Sequence, residues 1–353
     1  MHALLARHPV LQTDLPLETL ASLPTPVRLL CGPGDTPLWI KHDGLSGNPY
    51  GGNKVRKLEL LLGEARRHNA REVVTFGGAG SNHATATAIY ARRLGLQCTL
   101  VLAPQPPLPA VGRNLRVCCA HGARFHYCDA FNDFAAAGQH ICHTRQAAGL
   151  PLPWIIPPGG STVCGGMGLV NAAFELAEQV RAGILPAPGR IYVALGTAGT
   201  AAGLLVGLRA AGLSSRLVCV RVVDRAFGTA VRCASLASDI AARLHRLDPS
   251  FPDLRFHPRD IDLRHDWYGP GYGVATPAAH RAVSIMRDTA GIPLETTYTG
   301  KAFACLLADL PHLGCTRPVL FWNTCNAHDT GVLAAGADLS RLPPALRQYC
   351  TDE

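Results

Sequence analysis

Gly51-Gly52-Asn53-Lys54-Val55-Arg56-Lys57-Leu58 is the stretch on which the reading of the chain turns. Two glycines and an asparagine make a turn, and a helical pattern follows at once, with Leu58, Leu61 and Leu62 at helical spacing. A lysine brought out of flexible backbone just before a helix can meet a small molecule in a cleft. It can equally be a solvated lysine at a helix start, so Lys54 needs support from the rest of the chain.

Outward from this turn the pattern is an α/β repeat. Short apolar runs at 36–41, 72–76, 97–102, 123–127, 190–195, 217–223 and 318–322 read as strands. Helical stretches at 84–94, 111–120, 131–148, 229–247 and 280–290, a long one that 161–168 leads into and that ends near 182, and one that follows 301 and ends near 310 fall between them. Alternation of this kind predicts mainly parallel sheets with helices on both faces. The Pro/Gly-rich crossing 151–160 reads as the return from an inserted lobe. The expected organisation is a small α/β domain, 55–155, inserted into a large domain made of 1–54 and 156–353. Residues 1–35 read as an extended arm and 264–273 as a loop.

With 353 residues there is enough chain for two cores, and 48% hydrophobic with 16% charged residues is a globular composition. The net charge of +8 is scattered, as in the pairs Arg66-Arg67 and Arg92-Arg93, with few aromatics between. That is a poor nucleic-acid pattern and fits an anionic ligand as well. Thirteen cysteines, an odd number with no repeated C-x-x-C, read as free thiols of a reducing cytoplasm. His140-Ile141-Cys142-His143 is the nearest approach to a metal cluster and lacks partners at ligand spacing, so no metal is expected. No apolar run reaches the ~18 residues of a membrane span, and the start of the chain has no signal-peptide pattern.

Chemistry is expected at the carboxyl ends of the strands, where open parallel sheets bind ligands. Gly196-Thr197-Ala198-Gly199-Thr200 follows a strand and opens a helix, so its N–H groups and hydroxyls can cradle a phosphate. It can also be a plain turn, or half of a dinucleotide site with Asp224 as the ribose-binding acid, although its glycines do not run G-x-G-x-x-G. Ser81-Asn82-His83 can hold a carboxylate, or can simply cap a helix. Tyr272 and Tyr298 stand beside glycine turns. A tyrosine there can act as a general acid/base if its pKa is lowered, or can be a core residue with its hydroxyl satisfied.

Taken in order, Gly51-Gly52-Asn53-Lys54-x-Arg56-Lys57, Ser81-Asn82-His83, the 196–200 loop, Gly269-x-Gly271-Tyr272 and Tyr298-x-Gly300-Lys301 resemble the 1-aminocyclopropane-1-carboxylate deaminase/D-cysteine desulfhydrase family over about residues 35–330. The resemblance implies a two-domain fold of the type II, tryptophan synthase β-like kind and pyridoxal 5'-phosphate as cofactor. It implies that Lys54 holds the cofactor as a Schiff base and moves the α-proton. Asn53, Asn82, Gly196, Thr197, Ala198, Gly199, Thr200 and Thr324 would bind the cofactor, with Asn82 at the ring oxygen, the 196–200 loop at the phosphate and Thr324 near the ring nitrogen. Ser81, Asn82, His83 and Tyr298 would meet the substrate, and Ser81, Tyr272 and Tyr298 would join Lys54 in catalysis. A small amino-acid substrate and a homodimer come with it, while the cytoplasmic location is expected from the thiols and the missing signal and span patterns.

The chain departs from that pattern at three places. Tyr298-Thr299-Gly300 stands where the cyclopropane deaminases have Tyr-Glu-Gly, whose glutamate faces the ring nitrogen. A neutral residue there favours loss of a β leaving group over ring opening, which points to α,β-elimination of the D-cysteine desulfhydrase kind. Asn323-Thr324-Cys325-Asn326 replaces His-Thr-Gly-Gly and is expected to narrow or re-polarise the pocket. Gly-Ala-Gly precedes Ser81 where a glutamine is often found. The remaining readings are an aminocyclopropane-carboxylate deaminase, a racemase-like activity, a pyridoxal-phosphate-binding protein without catalysis, and a nicotinamide-dependent oxidoreductase.

Overall fold

A computed structural model describes residues 2–30, 36–314 and 317–350. The described residues fall into two compact units: 2–15, 21–57 and 161–327 in one, and 16–20, 58–160 and 328–350 in the other.

The first unit is built on a six-stranded sheet in the order β1-β2-β10-β7-β8-β9. Its strands are β1 (Val27–Leu30), β2 (Leu38–His42), β7 (Arg190–Leu195), β8 (Arg216–Arg221), β9 (Asp262–Arg264) and β10 (Val319–Asn323). All neighbours are parallel except β1 and β2. Its helices are α1 (Ala3–Arg7), α2 (Leu11–Asp14), the start of α3 (Asn53–Arg67), α7 (Val163–Arg181), α8 (Gly199–Ala210), α9 (Ala230–Leu247), α10 (Pro277–Ala290) and α11 (Thr299–Asp309). Met286, Phe303 and Leu306 of α10 and α11 pack with Tyr192, Val218 and Phe321 of the sheet in one core. Helices α7 and α8 approach through glycines. A Cβ on Gly203 would stand 2.3 Å from the Gly166 carbonyl oxygen, so a side chain there would push the helices apart.

The second unit carries the rest of α3, then β3 (Glu72–Gly78), α4 (Asn82–Arg93), β4 (Gln97–Ala103), α5 (Pro109–Ala120), β5 (Arg124–Tyr127), α6 (Phe134–Ala147), β6 (Trp154–Ile156) and the short C-terminal α12 (Pro344–Arg347). Its four strands are all parallel, in the order β5-β4-β3-β6. Every residue of β3 is buried, as a central parallel strand requires.

The parallel α/β class agrees with the sequence reading, and several local expectations do not. The stretch 1–35 is not an extended arm in its described part. It holds two short helices and β1, and His8 is buried with its Nδ1 2.8 Å from Asp248. Residues 31–35 lie outside the described residues. The crossing at 151–160 contains β6, which pairs with β3, and the expected loop from 264 is preceded by the short β9. Both strands are three residues long and have no repeat to betray them. The C-terminal 328–350 and the short 16–20 group with 58–160, although the sequence reading put them in the large domain. The backbone oxygen of Cys350 accepts from the Arg116 guanidinium of α5 at 2.7 Å, a long-range contact invisible in local pattern.

Candidate active site

In the first unit the lysine turn is built from its neighbours' backbone. Gly52 has φ 94°, a conformation that favours glycine, and a Cβ on it would stand 2.9 Å from the Thr324 carbonyl oxygen. The Gly51 N–H donates to Asn326 Oδ1 at 2.7 Å, and the Gly52 N–H to the Asp43 carbonyl at 2.8 Å. The Asn53 N–H approaches the Thr324 carbonyl at 3.4 Å. The strand end after β10 therefore holds the turn in place. Asn323 is buried, its Oδ1 accepting from the Cys325 N–H at 3.1 Å. Asn326 serves the turn and Asn323 its own loop, where the sequence suggested a change in the pocket.

Asn53 then ties the turn to the 196–200 loop, its Nδ2 donating to Thr200 Oγ1 at 2.7 Å. That loop is the N-terminus of the twelve-residue α8. Ala198 adopts φ 72°, a strained conformation for a side-chain-bearing residue. The Gly199 N–H donates to Ser161 Oγ at 3.1 Å, and Ser161 Oγ lies 2.7 Å from Thr197 Oγ1. Lys57 Nζ reaches the same Ser161 hydroxyl at 3.4 Å. A Cβ on Gly199 would be 2.6 Å from Ser161 Oγ and 2.8 Å from Lys57 Nζ, so only glycine lets these groups converge. A helix N-terminus, three hydroxyls and a lysine in one place form a donor set that fits a phosphate monoester.

Lys54 is half-buried, and burial lowers its pKa to about 8. Lys57 is buried, and burial followed by the neighbouring charge of Lys54 holds its pKa well below the lysine range. Lys57 and Ser161 were not singled out from sequence. Lys57 follows Lys54 by three residues, which places both on one helix face and was the available signal. Ser161 is brought in by a contact 104 residues long and left no such signal.

Tyr272 and Tyr298 come together, with hydroxyl oxygens 2.6 Å apart and rings edge to face at 6.1 Å. A Cβ on Gly196 would be 3.6 Å from Tyr298 Cε1, which places this tyrosine beside the loop. The lowered tyrosine pKa considered from sequence is not what the site produces. Burial raises Tyr272 to about 12 and raises Tyr298 further, because a buried phenolate loses its hydration. The pair keeps its protons. Glu295 fixes Tyr298 by accepting the N–H groups of Thr297, Tyr298 and Thr299 at 2.7–3.1 Å, and the Thr299 hydroxyl donates to the same carboxylate at 3.1 Å. The loop bearing Tyr272 is anchored by Lys301, whose Nζ donates to the Tyr268 carbonyl at 2.6 Å, and by Arg221 stacked 4.7 Å over the Tyr268 ring.

In the second unit Ser81 is the N-cap of α4, its Oγ accepting the Ala84 N–H at 3.2 Å. Capping uses a lone pair and leaves the hydroxyl hydrogen to donate elsewhere. Asn82 Oδ1 accepts from Asn114 Nδ2 at 3.0 Å. His83 is buried, with its ring 3.0 Å from where a Cβ on Gly160 would stand, which matches the packed alternative. Asp224, the acid of the nicotinamide reading, is exposed and accepts the Ala226 N–H at 2.9 Å in its own turn. Among the described residues no three His, Cys, Asp or Glu side chains come together to hold a metal, and no helix is long and apolar enough to cross a membrane.

A parallel α/β protein that gathers two lysines of lowered basicity and a phosphate cradle at its strand ends has the parts of an enzyme using a phosphate-bearing, amine-reactive cofactor. Residues 18–324 match the family described as pyridoxal-phosphate dependent enzyme. The chain is 33% identical over 340 residues to nocardicin C-9' epimerase of Nocardia uniformis subsp. tsuyamanensis, covering 95% of this chain and 98% of that protein. It is 33% identical over 326 residues to D-cysteine desulfhydrase of Salmonella choleraesuis, covering 89% and 95%. The crystal structure of a homologue of ACC deaminase superposes with a TM-score of 0.78 at 29% identity, covering 95% of this chain and 98% of that one. The chain belongs to the pyridoxal-phosphate dependent enzyme family, and its cofactor is pyridoxal phosphate. The nicotinamide reading is thereby set aside.

Proposed function

We propose that the protein catalyses α,β-elimination on a small β-substituted amino acid, with D-cysteine as the leading substrate. Lys54 would anchor the cofactor. Lys57, Ser161 and the 196–200 loop would hold its phosphate, with Asn82 at the ring oxygen and Thr324 near the ring nitrogen. When bound, pyridoxal phosphate supplies an electron sink for the charge left at Cα. Lys54 Nζ, largely neutral above about pH 8, takes the α-proton. Tyr298 and Tyr272 hold protons at their hydroxyls and are suited to give one to a departing thiolate. Loss of the α-proton and thiolate, then hydrolysis with one water, gives hydrogen sulfide, ammonia and a 2-oxo acid.

The observation that carries this reading is the neutral Thr299, whose hydroxyl is spent on Glu295 while that carboxylate caps α11. The relative named D-cysteine desulfhydrase supports the same choice. A second reading is inversion at Cα without elimination. The relative named an epimerase supports it, as does a tyrosine pair able to return a proton where Lys54 removed one. Purified enzyme given D- or L-cysteine is expected to release sulfide and pyruvate in equal amounts from D-cysteine, and to lose this with Lys54→Ala. Exchange of the α-hydrogen in deuterated water without sulfide would transfer the assignment to epimerisation. Neither from any amino acid tested, with cofactor bound, would leave a binding protein. The reading includes a cytoplasmic homodimer, which sedimentation would test.

A further inference from the structure

Asp43 opens a short helical turn, Asp43–Leu45, directly after β2, and is fully buried. Its Oδ1 accepts from Thr25 Oγ1 at 2.9 Å and Arg56 Nη2 at 2.7 Å, and its Oδ2 from Arg56 Nε at 3.1 Å and Trp322 Nε1 at 2.8 Å. Its backbone carbonyl accepts the N–H groups of Ser46 at 2.9 Å and Gly52 at 2.8 Å. Ser46 donates its hydroxyl to the Gly52 carbonyl at 2.7 Å, so this turn holds Gly52 by both of its polar groups. The fit leaves no room for side chains. A Cβ on Gly51 would stand 1.8 Å from the Gly44 carbonyl oxygen, and one on Gly44 would stand 2.5 Å from the Cys325 carbonyl oxygen.

These contacts bracket Lys54. Two residues before it, Gly52 is bonded to the Asp43 carbonyl; two residues after it, Arg56 is bonded to the Asp43 carboxylate. Residues two apart on a helix point to nearly opposite sides. With the Arg56 guanidinium locked into the buried cluster, the first turn of α3 is held against rotation, and Lys54 is directed away from Asp43. The environment of Lys54 follows from that placement. Burial is what lowers its basicity, and the charge it meets is that of Lys57, one turn on along the same helix.

We propose that Asp43 is the positioning residue of Lys54, its carbonyl and its carboxylate gripping the chain on either side of the lysine and setting the direction of the amine. The part this gives Asp43 in catalysis rests on the reading of Lys54 as the cofactor lysine.

The test follows the Lys54 amine in the full-length apoprotein, by competitive acetylation across the neutral and alkaline range with mass spectrometry of the labelled peptides. The wild-type amine is expected to titrate near pH 8. Asp43→Asn keeps the size and the backbone carbonyl but removes the charge and sets an NH2 among hydrogen-bond donors. The first turn should loosen and Lys54 rehydrate, raising its midpoint by about one unit, roughly a tenfold loss of neutral amine at neutral pH. Trp322→Phe deletes a single bond to the carboxylate and should move the midpoint the same way by less. Lys41→Met is the control. Its amine bonds the Thr25 carbonyl, Glu175 and Gln179, in the same cluster but away from α3 and the lysine turn. It should shift the thermal midpoint of the protein and leave the Lys54 titration as in wild type. If Asp43→Asn raises the Lys54 midpoint no more than Lys41→Met does, Asp43 only stabilises the fold and the proposal is overturned. Where Asp43→Asn does not fold, Trp322→Phe decides, and an unchanged Lys54 titration in it overturns the proposal. Borohydride reduction of the cofactor-loaded wild type reports separately on the reading of Lys54. Cofactor fixed to another lysine would sink that reading, and with it the catalytic part of Asp43, whatever the acetylation shows.

Discussion

Arg56 and Lys57 are consecutive residues of α3, both buried, and they meet opposite surroundings. Arg56 lies between two buried carboxylates, donating to Asp43 at 2.7 Å and to Glu175 at 3.0 Å. Burial works against its charge, and the two carboxylates outweigh it. Lys41 also reaches Glu175, and Trp322 Nε1 donates to Asp43 at 2.8 Å, so the cluster links α3, α7, β2 and β10 with its charges balanced. Lys57 instead points to a serine hydroxyl at a helix N-terminus, where burial and Lys54 suppress its charge. One region is completed by the chain itself. The other gathers lysine nitrogen and hydroxyls at a helix N-terminus, a setting that favours an anion.

Breaking the paired side should have the largest effect. Glu175→Ala leaves Arg56 and Lys41 facing a single carboxylate, and is expected to cost about 3–5 kcal/mol in denaturant unfolding of the apoprotein. The pH dependence follows from the same residue. Burial acts to raise the Glu175 pKa, but Arg56 and Lys41 bring it down to about 2. Its stabilisation is therefore present above the ordinary carboxylate value of 4.5 and is lost as pH falls from there toward about 2. Acid unfolding of Glu175→Ala should lack that part of the slope.

On the other side of the comparison, Lys57→Met should leave the apoprotein as stable as wild type or slightly more so. It should weaken pyridoxal phosphate binding roughly 10- to 100-fold, the worth of a charge-assisted hydrogen bond. Equal losses of apoprotein stability in Lys57→Met and Glu175→Ala would erase the distinction drawn between them. A smaller effect comes from Lys54. Its amine is neutral above about pH 8, so the rate of cofactor loading should rise with pH and level off near there. A rate still climbing at pH 10 would mean an ordinary lysine. Smallest of all, Asn326→Ala removes the bond to the Gly51 N–H and should cost about 1 kcal/mol, read as a modest fall in the melting temperature.

Much of the site was legible because its signals are local. The glycines around Lys54, the small polar loop after β7 and the glycine-flanked tyrosines are short motifs with a direct backbone meaning. Asp43, Glu175 and Glu295 were not legible, since a buried carboxylate and a solvated one have the same letter. Glu295 is decisive for Thr299, yet nothing in the order of letters says that it accepts the N–H groups of Thr297, Tyr298 and Thr299 at the entry to α11. The C-terminal segment groups with the second unit for a related reason: its attachment to α5 and to the loop before it consists of a few long-range bonds to backbone oxygens.

By itself the sequence determined the parallel α/β class and the order of the motifs, and the cofactor came with the family that those motifs resemble. Strand periodicity, turn residues and a reactive lysine are properties of short windows of chain. Only the tertiary structure decided that Arg56 lies between two buried carboxylates, that Lys57 is buried beside Lys54, and that the tyrosines hold their protons. Those properties depend on desolvation and on partners far away in sequence, and both exist only once the chain has folded.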